Sequence, residues 1–427
     1  MLYWQVLEWS HLRPSLHLLL RVFCHNAESV TTYSNHYNLL CWDSLTYRIQ
    51  DVTKEKITDA INREGRGGID DFIALVSPLA SSEYLEPIAR LSHSLTEKRF
   101  GKAMRLFAPL YLSNECNNVC DYCGFSLGNN VIRKTLNEAE LLREAGLLRK
   151  MGFDHILLVT GESTKKVGIN YISRSLRTLR PYFNNLSIEV QPLEQKEYEI
   201  LKSNGLHGVL VYQETYNKDS YAEHHKKGKK RNFEWRLATP DRLGNAGVHK
   251  IGLGCLFGLT KDWRTDAFFA AHHMDYLQKK YWMTQFSMSF PRLRPCEGEI
   301  SPKITLKDRD LVQLICAFRI FNHELEISIS TRESSELRNH LLPLGVTSMS
   351  AGSKTNPGGY GEDDSLEQFE ISDERSVSEV SSYLKNAGYD VVWKDWDVSY
   401  DNLYSSNLIK ENSVNRKQSL VSEVIKH

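Results

Sequence analysis

The stretch FAPLYLSNECNNVCDYCGFS, residues 107–126, joins a β-rich run to a loop holding three cysteines, Cys116, Cys120 and Cys123, spaced C-x3-C-x2-C. The run FAPLYL (107–112) is the first of a series. After it come ILLVT (156–160), LSIEVQ (186–191), GVLVYQ (208–213), KIGLGCL (250–256), TQFSMSF (284–290), LEISIST (325–331) and VTSMSA (346–351). Amphipathic stretches separate most of them. NEAELLREAGLLRKMG (137–152) places Leu141, Leu142, Ala145, Leu148 and Met151 on one helical face, and RDLVQLICAFRIF (309–321) is a second helical pattern. Eight strands in βα alternation over about 245 residues match the (β/α)8 barrel, which takes about 250. An open doubly wound sheet is the competing arrangement. The count of eight, the near-even spacing and the lack of G-x-G-x-x-G after the first strand favour the barrel.

The expected fold class is therefore α/β, a (β/α)8 TIM-type barrel over residues 106–355. An N-terminal helical segment precedes it at 42–105, and a C-terminal extension at 356–399 is expected to pack on the barrel. The polar tail at 400–427 reads as disordered. Residues 1–41 are rich in Leu, His and aromatics without periodicity; they read as a leader or extension, whether genuine, transit-like or translated from upstream of the true start.

Composition excludes several classes. Lys plus Arg equals Asp plus Glu at 53 each, so net charge favours neither nucleic acid nor an anionic membrane as partner. The basic run HHKKGKKR (224–231) has no interleaved aromatics and reads as a solvated loop. Eight cysteines in 427 residues are too sparse for a disulfide scaffold, and no apolar run reaches the length of a membrane span. A reducing cytoplasm is the expected location.

In a barrel of this kind, function sits at the C-terminal ends of the strands. The residues there are the three cysteines, Gly161 and Glu162, Glu189 and Gln191, Gln213 and Glu214, PRLR (291–294), Arg332 and SMSAGSKT (348–355). Three thiolates can hold zinc with a fourth ligand from elsewhere, or three irons of a [4Fe–4S] cube with the fourth iron left for a cofactor. No second C-x-x-C exists, and the next histidine, His155, lies beyond a helix, which disfavours zinc. Cys255 and Cys316, in a strand and on an apolar helix face, read as small core residues.

CNNVCDYC resembles the signature of radical S-adenosylmethionine enzymes, down to Tyr122 before the last cysteine. TGE (160–162) is similar to that superfamily's Gly-Gly-Glu motif, with Thr160 in place of the first glycine. Beyond these, RKTLNEAEL, MGFDHILLVTGE, IEVQPL, VYQETY, SFPRLRPC, ISTRES and SKTNPGGY resemble the 2-iminoacetate synthase family of thiamine thiazole biosynthesis, from about Trp42 to Trp396.

The resemblance implies one [4Fe–4S] cluster bound by Cys116, Cys120, Cys123 and S-adenosyl-L-methionine. One electron from the cluster cleaves the sulfonium to methionine and a 5′-deoxyadenosyl radical. That radical takes a hydrogen from the amino group of L-tyrosine, whose Cα–Cβ bond breaks to give 2-iminoacetate (dehydroglycine) and p-cresol. By the same resemblance Tyr122, Gly161, Glu162, Glu189 and Arg236 serve the cofactor, with Arg236 on its carboxylate. Tyr111, Asn118, Arg332 and Ser350 serve the substrate, with Arg332 on the tyrosine carboxylate. Pairing of Arg332 with Glu333 or Glu336 at the surface is the plainer alternative. Thiazole synthase and a flavodoxin- or ferredoxin-like electron donor are the implied protein partners. The similar tyrosine lyases of iron-hydrogenase maturation carry a second cluster on C-terminal cysteines; here no cysteine follows Cys316.

Overall fold

The computed structural model describes residues 32–298, 301–361 and 367–393. The eight expected strands all form: β1 (Ala103–Ser113), β2 (His155–Thr160), β3 (Asn185–Glu189), β4 (Leu206–Leu210), β5 (Lys250–Gly254), β6 (Gln285–Ser289), β7 (Glu326–Ile329) and β8 (Ser348–Ser350). Each pairs in parallel with the next, and β8 returns to β1 through Arg105↔Ser348, Leu106↔Met349 and Phe107↔Ser350, which closes the barrel. A closed parallel sheet has lining on one face and helices on the other, so its strands need apolar residues on both. HILLVT in β2 and KIGLG in β5 are buried along their whole length.

The flanking helices follow their sequence signals. Glu138–Lys150 starts at a capping box in which Asn137 accepts from the Glu140 N–H and Glu140 accepts from the Asn137 N–H. Leu141, Ala145 and Leu148 face the core, whereas Met151 lies past the last helical residue and is exposed. Cys255 and Cys316 are buried, as their apolar settings suggest.

Between residues 42 and 100 the helices Trp42–Gln50, Lys54–Asn62, Ile69–Val76, Pro78–Glu83 and Leu85–Phe100 cover the outside of the barrel. They dock on the helix Asp308–Phe321, where Phe72 meets Phe318 edge-on at 4.8 Å and Gln313 Nε2 donates to the Leu75 and Ser77 carbonyls. The docked chain begins earlier than residue 42. Tyr33 is fully buried, stacks on His273 at 3.8 Å and donates its N–H to Asp241 at 2.9 Å. Tyr37 donates its hydroxyl to the Tyr216 carbonyl at 2.6 Å. Residues 32–41, which the sequence reading assigns to a leader or extension, therefore pack against the barrel; the rest of that segment and the tail at 400–427 lie outside the described residues.

The C-terminal extension touches both ends of the barrel. Residues 367–373 cross the mouth at the C-terminal ends of the strands, and β9 (Asp390–Val392) then pairs in parallel with the start of β1. A buried ion pair between Arg338 and Asp373 fixes the turn between these two parts. Among the described residues no helix is long and apolar enough to cross a membrane.

Because Tyr33 fills a closed site between an aromatic helix and the Asp241 carboxylate, Tyr33→Ala should lower unfolding stability by about 3 kcal/mol. Urea denaturation checks this. A change within experimental error would mean that the segment adds nothing to the folded body.

Candidate active site

The three cysteines sit on the loop that leaves β1, at the end of the barrel where enzymes of this architecture work. Arg133 braces the loop by donating to the carbonyls of Asn114, Phe125 and Ser126 at 2.7, 2.8 and 2.7 Å. All three cysteines line one cavity that opens to solvent. The Asn118 N–H points at Cys116 Sγ at 3.5 Å, and Gln368 Nε2 reaches Cys123 Sγ at 3.6 Å. Burial pushes the three thiols up, so binding iron must release their protons. Among the described residues no group of three or more His, Cys, Asp or Glu side chains is already drawn together around a single ion position.

Thr160, Gly161 and Glu162 follow β2 beside the cysteine loop. Gly161 N–H donates to the Ser113 carbonyl and Asn117 N–H to the Glu162 carbonyl, at 2.9 and 3.0 Å. A Cβ on Gly161 would lie 2.4 Å from the Glu115 carbonyl oxygen, so only glycine permits this approach. Thr160 Oγ1, buried in the cavity wall, has no hydrogen-bond partner among the described residues. A three-thiol loop, an adjoining Gly-Glu corner and an unpartnered buried hydroxyl on one wall suit a cluster that shares its open position with a polar cofactor.

Beside the cysteine loop the charges are paired. Glu162 Oε1 accepts from Arg236 at 2.9 Å and Oε2 from Asn118 Nδ2 at 2.8 Å. Burial pushes the Glu162 carboxyl up, but Arg236 and Lys230, with these hydrogen bonds, outweigh it and hold it below the usual range. Glu214 Oε1 pairs with Lys230 Nζ at 2.7 Å and with Arg236 at 3.6 Å. Its backbone has φ +71°, a left-handed conformation rare outside glycine, which fits a residue held for its position. Glu189 has no such close pair. Burial, then the negative charge of Glu214, push its carboxyl up to about 7.

Opposite these groups stands Arg332. Its guanidinium stacks on Phe369 at 3.3 Å, and no carboxylate pairs with it among the described residues. The surface pairing with Glu333 does not occur, because Glu333 is held by Arg292. Tyr111 lies on the same wall and donates to Gln368 Oε1 at 2.7 Å. Ser350 Oγ accepts the Thr331 N–H at 3.1 Å, and its own hydroxyl hydrogen remains to donate.

The twelve residues given roles by the resemblance all line this cavity, whereas Gln191 and Gln213, also at strand ends, are buried and do not. Asn118 and Tyr122, like Glu162, Arg236 and Tyr111, already have protein partners. Asn118 binds Glu162 through Nδ2, and its Oδ1 accepts from the Lys230 N–H at 3.1 Å. The Tyr122 hydroxyl bonds His225 Nε2 at 2.6 Å; Nδ1 of that histidine faces the Tyr221 carbonyl, so Nδ1 carries the proton and Nε2 accepts. Sequence reasoning missed Lys230, Tyr212, Gln368 and Phe369, all of which line the cavity. The reading of HHKKGKKR as a solvated loop holds for five of its residues, which are exposed, but His224 and His225 are buried and Lys230 turns inward to Glu214.

Residues 110–270 match the radical SAM superfamily, and residues 289–390 match the biotin and thiamin synthesis associated domain. Fold and site together define a radical S-adenosylmethionine barrel enzyme, with the [4Fe–4S] cluster and S-adenosylmethionine as its cofactors. The 2-iminoacetate synthase of Escherichia coli (strain K12) is 50% identical over 367 residues, covering 86% of this chain and 97% of the relative. That of Salmonella typhimurium (strain LT2) shows the same identity and coverage. The chain belongs to the 2-iminoacetate synthase family. The solved FeFe-hydrogenase maturase HydG from Carboxydothermus hydrogenoformans superposes with a TM-score of 0.75 at 31% identity, covering 87% of this chain and 88% of that one. Another HydG structure, at 24% identity and a TM-score of 0.79 over 90% and 93% of the two chains, shares the fold.

The raised Glu189 carboxyl gives a pH signature in the cofactor-free protein. Its folded pKa of about 7 exceeds the ordinary value, so the folded state holds the proton more tightly and stability falls as pH rises between roughly 4.5 and 7. Glu189→Gln removes this penalty. Its stability advantage over the wild type should build across that window, up to about 3 kcal/mol, and level off above it. Denaturation curves at several pH values check this, and a pH-independent difference would refute it.

Proposed function

We propose that the cavity cleaves the Cα–Cβ bond of L-tyrosine to 2-iminoacetate and p-cresol, with 5′-deoxyadenosine and methionine as co-products, and so supplies the imine for the thiazole of thiamine. The observation that carries the substrate reading is Arg332, a cation in the cavity wall that makes no direct carboxylate pair among the described residues, with Glu189 and Glu214 acting on it only at longer range. Burial pushes its pKa down, so an incoming carboxylate that restores the balance is favoured there. A planar guanidinium held flat by Phe369 can offer two parallel N–H groups to such a group.

Bound through Cys116, Cys120 and Cys123, a [4Fe–4S] cluster with S-adenosylmethionine supplies the one-electron cleavage that generates the hydrogen-abstracting radical. The chain's own residues place and shield the reactants. Gly161 and Glu162 present a backbone edge and a carboxylate to the cofactor's amino group, and Glu189 adds a polar contact deeper in the barrel. Arg236 turns from Glu162 and Glu214 toward the cofactor carboxylate. Tyr122 forms the wall beside the cluster, and Asn118 is the strut that keeps Glu162 in place. Arg332, Tyr111 and Ser350 orient the amino acid. Gln368 and Phe369 cross the mouth and limit entry of water, which would otherwise reach a reactive intermediate.

An α-imino acid hydrolyses in water, so direct transfer to thiazole synthase is the expected route for the product. A flavodoxin- or ferredoxin-like protein is the expected source of the electron, and the cytoplasm the expected location.

Anaerobic reconstitution should give about four irons per chain, and an EPR signal that changes on adding S-adenosylmethionine. With dithionite, tyrosine should then yield p-cresol. Turnover of tryptophan without p-cresol from tyrosine would overturn the reading. Arg332→Gln should keep its iron yet lose about 100-fold in kcat/KM, or about 3 kcal/mol of transition-state binding.

A further inference from the structure

The helix Tyr33–Tyr37 lines no part of the cavity, yet it touches both segments that carry the Glu214–Arg236 pair. Tyr37 does so with two different groups. Its hydroxyl donates to the carbonyl of Tyr216, two residues beyond Glu214, at 2.6 Å. Its ring meets that of Phe233 at 5.4 Å, and Phe233 opens the short helix Phe233–Leu237 that holds Arg236. Lys218 Nζ lies over both rings, at 5.0 and 5.3 Å from their centres. One side chain thus bridges the loop after β4 and the helix that follows it.

Tyr216 is held on its other sides as well. Its N–H donates to Asp266 Oδ1 at 2.6 Å, and its hydroxyl lies 2.9 Å from His273 Nδ1. Both partners stand on the helix Trp263–Lys280, and all three residues are buried. Glu214 itself, at φ +71°, has a conformation that costs a non-glycine residue free energy and persists only where the surroundings impose it. The lock on Tyr216 is one such constraint, and the Tyr37 hydroxyl completes it from the N-terminal side. Tyr33 makes a contrast within the same helix. Its hydroxyl donates to the Phe269 carbonyl at 3.2 Å and lies 3.1 Å from His272 Nδ1, so it grips the helix Trp263–Lys280 and neither carrier of the pair.

We propose that Tyr37 is a positioning residue for the cofactor site. It fixes the loop that carries Glu214 against the helix that carries Arg236, so that the guanidinium can turn to the carboxylate of S-adenosylmethionine while its backbone stays in place. This rests on the reading above that Arg236 meets that carboxylate. Without the Tyr37 hydroxyl, the buried Tyr216 carbonyl loses a donor, and the loop gains by shifting to where water can reach it. The fraction of molecules with both side chains in place then falls, and the apparent affinity for the cofactor falls with it.

Tyr37→Phe removes the hydroxyl and keeps the ring on Phe233, whereas Tyr33→Phe removes a hydroxyl from the same helix without touching the pair. Both variants, reconstituted anaerobically, should hold about four irons per chain. Titration with S-adenosylmethionine, followed by the change in the cluster's EPR signal, should give a Kd raised about 5-fold in Tyr37→Phe and unchanged in Tyr33→Phe. KM for tyrosine should stay at the wild-type value in both. Amide hydrogen exchange in the iron-free chain needs neither cluster nor turnover. Peptides covering 213–217 and 233–237 should exchange about 5-fold faster in Tyr37→Phe and at the wild-type rate in Tyr33→Phe. Equal shifts in the two variants would mean that the helix adds only general stability, and would overturn the proposal. So would an unchanged Kd in Tyr37→Phe where Arg236→Gln does weaken binding. If Arg236→Gln binds S-adenosylmethionine as tightly as the wild type, the assignment of Arg236 fails instead, and the exchange rates still decide whether Tyr37 holds the loop.

Discussion

A closed ring of five side chains holds the cysteine loop to the barrel. Asn118 binds Glu162, Glu162 binds Arg236, Arg236 and Lys230 share Glu214, and the Lys230 backbone returns to Asn118. Four of the five are charged and nearly all of their side chains are shielded from water. Taking such ions out of water costs several kcal/mol each, and well-packed apolar residues would often serve stability as well. The ring therefore makes more sense as a device for placement. It spans three loops, after β1, β2 and β4, and joins each to the next by a charged contact. Any shift of one loop breaks a buried pair in another, so the cysteines, the Gly-Glu corner and the Lys230 turn keep one relative geometry.

The same ring explains how the cavity accepts a zwitterionic cofactor. Glu162 and Arg236 neutralise each other in the cofactor-free protein, yet they are the carboxylate and the guanidinium that an amino and a carboxylate group would each engage. Exchanging one internal pair for two external ones leaves no charge stranded. Arg332 stands outside the ring: it makes no direct carboxylate pair among the described residues, and its guanidinium rests on the Phe369 ring.

Much of this was legible in the chain because barrels declare themselves locally. Strands such as HILLVT and KIGLG are short runs buried along their whole length, and each β-rich run found in the sequence became a strand at nearly the expected position. The cysteine spacing and the strand ends then pointed to the rim. What could not be read depends on contacts between distant residues. Lys230 lies among five other Lys, Arg and Gly residues, and nothing in HHKKGKKR distinguishes the lysine that turns inward from those that stay in water. Gln368 and Phe369 sit in SLEQFE, a polar stretch without periodicity, and reach the cavity because Asp373 is anchored by Arg338. Tyr33 and Tyr37 carry no helical pattern that would separate them from the residues before them; only the His273 ring and the Tyr216 carbonyl that receive them show that they belong to the body.

The extension over the mouth is tied into the same framework. Its backbone bonds the cysteine loop directly, with Gly124 N–H donating to the Gln368 carbonyl at 3.0 Å, and a Cβ on Gly124 would lie 2.7 Å from the Glu367 carbonyl oxygen. The Gln368 amide divides its polar ends between Tyr111 and Cys123, and the Phe369 ring covers Arg332. This segment therefore completes the wall of the cavity with an amide and an aromatic ring. Because the same few residues touch the cysteine loop, Tyr111 and Arg332, the mouth cannot shift without disturbing both the loop and the opposite wall, and the Arg338–Asp373 ion pair that anchors the extension acts on the site from a distance.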